Sequence, residues 1–294
     1  MKKIFLPCTR YPVPTVTALG FFDGVHIAHA ALLKETVALA KRQGAVPALF
    51  TFAQTPRRAE SKLLSLESRL LQFEKHGIEV AFVANFDALC SLSPDAFVRD
   101  VLQAVCHANA AVCGYNFRFG KNAAGDAEKL LQLLPQSLVL PPVLHDGETV
   151  SSSRIRRLIE NGEVEKAAEL LGAPYTLSAP VTHGKALGRT LGFPTANMQP
   201  HELMPKSGVY ETRVSFDGKE FVGLTDIGTR PTVEGDGECR METHIPDFSG
   251  DLYGKTVSVT FLRRLRGELC FSSVDELKAQ LQKDISLVMH GDKP

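Results

Sequence analysis

The chain changes its hydrophobic period once, near Gly172, and this change limits what it can fold into. Before it, apolar runs alternate with helical stretches. "TVTAL" at 15–19 reads as a short strand. From about Ala28, the residues Ala30, Leu33, Val37 and Ala40 recur on one helical face until Gly44 ends the helix, and "VPALFTF" follows as a buried strand. Strand, helix, strand in this order calls for parallel pairing through a right-handed crossover. The alternation continues through "IEVAFVANF", a helix around Pro94 to Cys106, "AAVCGYNF" and "SLVLPPV", so residues 1 to about 145 are predicted to be doubly wound α/β. After "APYTL" the period becomes two, in "GVYETRVSFDGKEFVGL" and "KTVSVTFL", which is the pattern of antiparallel strands. Asp217 and Gly218 supply the positive backbone angles of a tight hairpin. Val274, Leu277, Leu281, Ile285 and Val288 then predict a last helix. The expected architecture is an α/β domain over 1–172 and a small β-barrel or sandwich with a closing helix over 173–294.

Composition narrows the partners. At 294 residues, 44% hydrophobic and 22% charged, the chain has the balance of a globular protein able to bury a core. Lys plus Arg equals Asp plus Glu at 33 each, and neither half carries the basic field that a nucleic acid would need. Cys8, Cys90, Cys106, Cys113, Cys239 and Cys270 are scattered without a C-x-x-C, so neither a disulfide frame nor a zinc site is expected, and a reducing cytoplasm fits best. No apolar run is long enough to span a bilayer, and "MKKIFLPCTRYPVP" lacks the apolar core of a leader, so no membrane partner is expected.

Five stretches carry chemistry. In "GFFDGVHIAHAALL" two histidines three apart, His26 and His29, follow an Asp-Gly turn where a strand hands over to a helix. A lone histidine there is more often a cap, but residues i and i+3 share a helical face, and a helix start beyond a parallel strand attracts phosphate. "SSSRIRR" sets serines that can cap a helix before Arg154, Arg156 and Arg157, which suits a polyphosphate. "GYNFRFGKNAAGD" is an apparent loop after a strand. "HGKALGRTLGFPTANM" crowds Gly184, Gly188 and Gly192 with Lys185 and Arg189 around a turn, and its Thr195 and Asn197 are hard oxygen donors suited to Mg²⁺ that shares ATP oxygens. Glu242 in "METHIPDFSGDLYG" is one carboxylate among many, and spacing does not select it as a base.

Taken together and in this order, these segments resemble the bacterial bifunctional riboflavin kinase and FAD synthetase family over nearly the whole chain. The family segment G-x-F-D-G-V-H-x-G-H matches Gly20, Phe22, Asp23, Gly24, Val25, His26 and His29, with Ala28 where the family has glycine. The G-x-x-F-x-F-G loop matches Gly114, Asn116, Phe117, Phe119 and Gly120. S-S-T-x-I-R appears as Ser151, Ser152, Ser153, Arg154, Ile155 and Arg156, and "GRTLGFPTAN", "IGTRPT", "ETHIPDFSGDLYGK" and "FLRRLRGELCF" follow in family order.

The resemblance implies a nucleotidyltransferase-like, Rossmann-like first domain and a riboflavin kinase barrel. In the first, Asp23, Gly24, His26, His29, Asn116, Ser152, Ser153 and Arg156 would bind ATP, with His26, His29 and Arg156 catalytic. In the second, Gly184, Lys185, Gly188, Thr195 and Asn197 would bind ATP, the last two with Mg²⁺, and Glu242 would deprotonate the flavin's ribityl 5′-hydroxyl. Asn116, Glu242 and Arg266 are the flavin-binding residues so implied. Riboflavin, FMN and ATP are the expected substrates. Two other readings stay open: a kinase whose first domain is impaired by Ala28, and a flavin or nucleotide sensor without turnover.

Overall fold

The computed structural model describes residues 1–54, 61–184, 192–229 and 239–290. The chain divides into two compact units, Met1–Ser152 and Ser153–Pro294. The division falls ahead of the change in sequence period, because the helices Ser152–Glu160 and Val164–Leu171 go with the second unit.

The first unit is a six-stranded parallel sheet. Its strands are β1 (Lys2–Phe5), β2 (Thr15–Leu19), β3 (Val46–Phe52), β4 (Val80–Ala84), β5 (Ala108–Gly114) and β6 (Leu138–Leu140), in the spatial order β1-β4-β3-β2-β5-β6. All five residues of β2 are buried, as a central parallel strand covered on both faces requires. Its two threonines stay satisfied inside, since Thr15 Oγ1 lies 2.9 Å from both Thr17 Oγ1 and the Cys106 carbonyl. Helix α1 (Ile27–Gln43) ends at Gly44 with φ 60°, and α2 (Leu66–Lys75) begins at the capping Ser65. Leu32, Leu33, Leu70 and Phe73 pack these two helices on one face of the sheet. Phe97, Val98, Val101, Leu102, Leu130 and Leu134 belong to a second cluster with other sheet residues, as doubly wound packing demands.

The helix expected at Pro94–Cys106 is a single turn, Pro94–Ala96, running into a π-helical stretch at Phe97–Gln103. Strand β1 was not foreseen. It pairs in parallel with β4 from Lys2↔Val80 to Phe5↔Val83.

Chain order runs from β2 outward to β3 and β4, then returns to the other side of β2 for β5. The direction of winding therefore reverses between β2 and β5, and the crevice beyond their carboxyl ends is where such sheets hold ligands.

The second unit begins with α3 (Ser152–Glu160), whose first residue belongs to the first unit, and α4 (Val164–Leu171), and continues as a curled antiparallel sheet. The strands are β7 (Thr176–Pro180), β8 (Thr195–Met198), β9 (Gly208–Phe216), β10 (Lys219–Thr229), β11 (Cys239–His244) and β12 (Thr256–Arg266), ordered β7-β12-β9-β10-β11-β8. Thr182, just past β7, bridges to Asn197 of β8, so the two edges meet there as in a barrel. The β9–β10 hairpin turns at Asp217 and Gly218, with φ 49° and 73°. The closing helix α5 (Val274–His290) sets Leu281, Ile285 and Val288 against Val209 and Leu224.

Candidate active sites

In the first unit the chain leaves β2 through a strained turn. Phe22, Gly24 and Val25 have φ of 59°, 81° and 42°. Glycine takes such an angle freely, but a β-branched valine does so at a cost of about 1–3 kcal/mol, and strain of this kind collects at functional sites. Hydrogen bonds fix the turn. Asp23 is buried, and its Oδ1 accepts the backbone N–H of Leu63 at 2.9 Å and of Leu64 at 3.2 Å. Ser152 Oγ donates to the Asp23 carbonyl at 2.8 Å. Sequence reasoning missed Arg69, an arginine with 0% exposure. Its guanidinium lies over the Phe21 ring and donates to the Phe21 carbonyl, Thr51 Oγ1 and the Phe52 carbonyl. It thereby clamps the ends of β2 and β3; its only sequence signal is a place among the inward positions Leu70 and Phe73 of an amphipathic helix.

His26 caps α1: its Nδ1 accepts the His29 backbone N–H at 3.4 Å, which leaves Nε2 to carry the ring proton. The rings of His26 and His29 stack at 3.6 Å. Burial lowers the His26 pKa to about 4. His29 is also pushed well below the usual histidine range, by burial first and then by His26 and Arg69. The pair is therefore neutral at pH 7. A cleft of about 400 Å³ lies at the winding reversal, lined by Gly20, Phe22, Ala28, His29 and Asn116 among others. Ala28 sits in the first turn of α1 and is not among the residues with positive φ. Gly24 and His26 stay in the turn beside the cleft, while Ser153 and Arg156 fall in the second unit.

In the second unit a single row of side chains crosses the sheet. Asn197 on β8 pairs with Glu242 on β11, Glu242 with Asp226 on β10, Asp226 with Val209 on β9, and Val209 with Arg266 on β12. Directly opposed residues in antiparallel strands project from the same face, so the predicted metal ligand and base share one surface, while the flavin-binding arginine Arg266 pairs with Val209 where the β9–β12 register shifts. On the other face Thr212, Thr225 and Thr243 form a buried ladder of hydroxyls, 2.8 and 3.0 Å apart.

Along β8, Ala196 and Met198 are buried while Thr195 and Asn197 are partly open. Thr195 Oγ1 lies 3.3 Å from Glu242 Oε2, and the other carboxylate oxygen is 2.7 Å from Arg240 Nη1. A cavity of about 600 Å³ is lined by Gly184, Thr195, Asn197, Phe248 and Tyr253 with others. Glu242 is not on its wall but adjoins it through Thr195 and Asn197. At the far end of the row, both Arg266 Nε and Nη2 donate to Asp284 Oδ2 at 3.0 and 2.8 Å, and Asp284 is 1% exposed. Lys185 and Gly188 lie outside the described residues.

A family model described as FAD synthetase matches residues 9–154, and one described as riboflavin kinase matches residues 171–290. A bifunctional riboflavin kinase/FMN adenylyltransferase of Listeria monocytogenes is 35% identical, the match covering 97% of this chain and 96% of that protein. The Haemophilus influenzae protein of the same name is 33% identical over 91% of each chain. A crystal structure described as a macrolide-efflux protein from Streptococcus pneumoniae is 30% identical, with a TM-score of 0.91, covering 98% of this chain and 99% of that one. Among the described residues, no helix is long and apolar enough to cross a membrane.

Proposed function

This chain belongs to the bifunctional riboflavin kinase/FMN adenylyltransferase family, and on that premise we propose which of its residues carry out the two reactions. The protein phosphorylates riboflavin to FMN with ATP, and it adenylylates FMN to FAD with release of pyrophosphate.

The kinase reaction is assigned to the second unit. A primary hydroxyl is a poor nucleophile at pH 7 and gains from a carboxylate that takes its proton. Glu242 is that base. Its oxygens are held by Thr195 and Arg240, so the carboxylate is oriented before substrate arrives. Thr195 and Asn197 offer the hard oxygen donors that Mg²⁺ prefers, beside a glycine whose missing Cβ leaves room against the Asn197 amide. When bound with ATP, Mg²⁺ neutralises phosphate charge. Arg266, anchored by Asp284, meets the flavin at the other end of the row. The kinase module is assigned to 173–294.

Adenylyl transfer is assigned to the cleft beyond β2 and β5. His26 and His29 act there as neutral N–H donors to the α-phosphate, whose charge is met further by the N-terminus of α1. Ser152 and Asn116 belong to the unit that holds this cleft, Asn116 contacting ATP and flavin, and Arg156 and Ser153 are the further phosphate ligands that the family resemblance implies. Asp23 acts from behind, through the two amides it holds. Nucleotidyl transfer needs positioning and charge neutralisation more than a covalent intermediate, so this set suffices.

The observation that carries the reading is the pairing of Asn197 with Glu242 across β8 and β11. The test incubates the protein with riboflavin, ATP and Mg²⁺ and separates riboflavin, FMN and FAD by chromatography. Glu242→Gln should abolish most FMN formation from riboflavin and leave FAD formation from added FMN intact, with a loss of roughly 10²- to 10⁴-fold in turnover. Near-full kinase turnover in that variant would remove Glu242 from the role.

A further inference from the structure

Helix α2 grips the strained turn after β2 with two side chains four residues apart, Arg69 and Phe73. Residues i and i+4 lie on one helical face, so both reach the same stretch of chain. Arg69 Nη1 donates to the Phe21 carbonyl at 2.7 Å and to Thr51 Oγ1 at 3.1 Å, while Nη2 donates to the Phe52 carbonyl at 3.0 Å. Thr51 Oγ1 itself donates to the Phe21 carbonyl at 3.1 Å. That one carbonyl, immediately ahead of the positive-φ residue Phe22, is therefore held twice. Phe73 takes the next residue. Its ring meets the Phe22 ring edge to face at 5.5 Å, and the Phe22 ring meets the His29 imidazole in the same way at 5.2 Å. An unbroken set of contacts thus runs from α2 through the turn to the histidine on the cleft wall.

An arginine is a costly choice for this place. Its side chain is fully buried, and the three acceptors it reaches are uncharged. Burial lowers its pKa to about 10, with Asp23 and Glu67 pulling the other way, so the guanidinium keeps its charge at pH 7. A well-packed apolar side chain would fill the space at lower cost. What the planar fork supplies is a set of donor directions fixed relative to one another, spanning the ends of two strands, whereas an ammonium is a single point on a flexible stem.

We propose that Arg69 is a positioning residue for adenylyl transfer, locking the Phe21 peptide to the end of β3 so that the turn holds His29 and the start of α1 where the α-phosphate reacts. The inference rests on the reading of His29 as a donor to that phosphate. In the reaction an oxygen of the FMN phosphate bonds to the α-phosphorus of ATP as the bond from that phosphorus to pyrophosphate breaks, and the donors must meet the α-phosphate oxygens throughout. Arg69 touches none of the reacting atoms. It acts by keeping donors in place before the transition state is reached, so its effect belongs to turnover more than to substrate binding, which the rest of the cleft also supports.

The test measures kcat and KM for FAD formation from FMN and ATP with the full chain, for wild type, Arg69→Lys, His29→Ala and the double variant. Lysine keeps the charge and most of the length but cannot reach three acceptors at once. Arg69→Lys should lower kcat roughly ten- to a hundredfold, the range for donors displaced by up to an ångström, and leave both KM values within about threefold. In a His29→Ala background the same substitution should cost less than about threefold, because the group it positions is gone. Wild-type kcat in Arg69→Lys, a loss carried by KM instead of kcat, or an equal loss in both backgrounds would each overturn the proposal. Full FAD formation in His29→Ala would instead overturn the role given to His29. Thr51→Val guards against a folding defect, since it keeps nearly the shape of a buried side chain and removes one of the two bonds to the Phe21 carbonyl. It should lower kcat by about two- to fivefold with the same dependence on His29. If circular dichroism and thermal unfolding show that Arg69→Lys does not fold, this variant decides, and a kcat equal to wild type in it would refute the positioning role.

Discussion

Gly184 lies so close to Asn197 that a Cβ added to the glycine would come within 2.5 Å of the asparagine amide. The obstructing atoms belong to a side chain that can rotate, and the glycine's own φ is not in the left-handed region. Gly184→Ala should therefore leave the barrel folded and turn the Asn197 amide out of its place. The expected result is a KM for Mg²⁺-ATP raised roughly tenfold or more, with unchanged thermal unfolding, since misplacement by about an ångström is enough for losses of this size. Asn197→Ala should give the same phenotype. Kinase assays over a Mg²⁺ and ATP matrix check both, and an unchanged dependence would show that neither residue handles the nucleotide.

The buried histidines make the first unit sensitive to acid. His26 has a folded pKa of about 4 against 6.5 for the free side chain, so the unfolded chain binds a proton that the folded one refuses. The stabilisation is present above pH 6.5 and is lost as pH falls towards 4, with His29 acting in the same direction. For His26 the loss is on the order of 3 kcal/mol. His26→Asn retains a capping acceptor and has nothing to titrate. Urea unfolding between about pH 7 and pH 4.5 should show wild type losing stability faster than the variant. Parallel curves would place the histidine in a less buried setting.

The two α-helices before the barrel bear on where the kinase module starts. Val164, Ala167 and Leu170 of α4 are buried, and Gly162 abuts Arg264 and Tyr210 so tightly that a Cβ there would meet Arg264 at 2.7 Å. The Lys206 amide also donates to the Ile159 carbonyl. A fragment starting at residue 173 should keep kinase activity, because Thr195, Asn197, Glu242 and Arg266 all lie beyond it. A fragment starting at residue 153 should be the more thermally stable. Thermal unfolding and FMN formation compare them, and a folded 173–294 fragment without activity would contradict independent sites.

The strands and helices that bury one face were legible because burial imposes a period: β8 alternates from Thr195 to Met198, and α1 runs from its cap to Gly44 as the spacing predicted. Strand β1 was not, since Lys2 and Lys3 mark an edge and its pairing with Val80–Val83 depends on a partner far along the chain. The same limit hid the pairing of Asp226 with Glu242, since the register between two strands is invisible to local pattern. That Asp23 Oδ1 accepts the amides of Leu63 and Leu64 is a contact that no spacing could reveal. Of the two readings of a helix-start histidine, the structure shows the cap: His26 Nδ1 accepts the His29 amide at the start of α1.

Ala28 is the position between the two histidines where this chain departs from the family segment, and the fold removes one of the two reasons for a glycine there. A positive φ is not required, because Ala28 lies in the first turn of α1 and takes none. There alanine favours the helix over glycine by about 1 kcal/mol. What remains is clearance: the Ala28 methyl lines the cleft with Phe22, His29 and Asn116. A single methyl on the wall of a cleft of about 400 Å³ leaves most of its volume for the nucleotide. Wild type should therefore convert FMN and ATP to FAD, and Ala28→Gly should change that rate by less than tenfold. His29→Ala should lower it roughly a hundredfold, the scale of losing one donor to a transition-state phosphate. The decisive comparison is FAD formation with excess ATP. If wild type stops at FMN and Ala28→Gly restores FAD, the methyl blocks the site and only the kinase half of the chain is active.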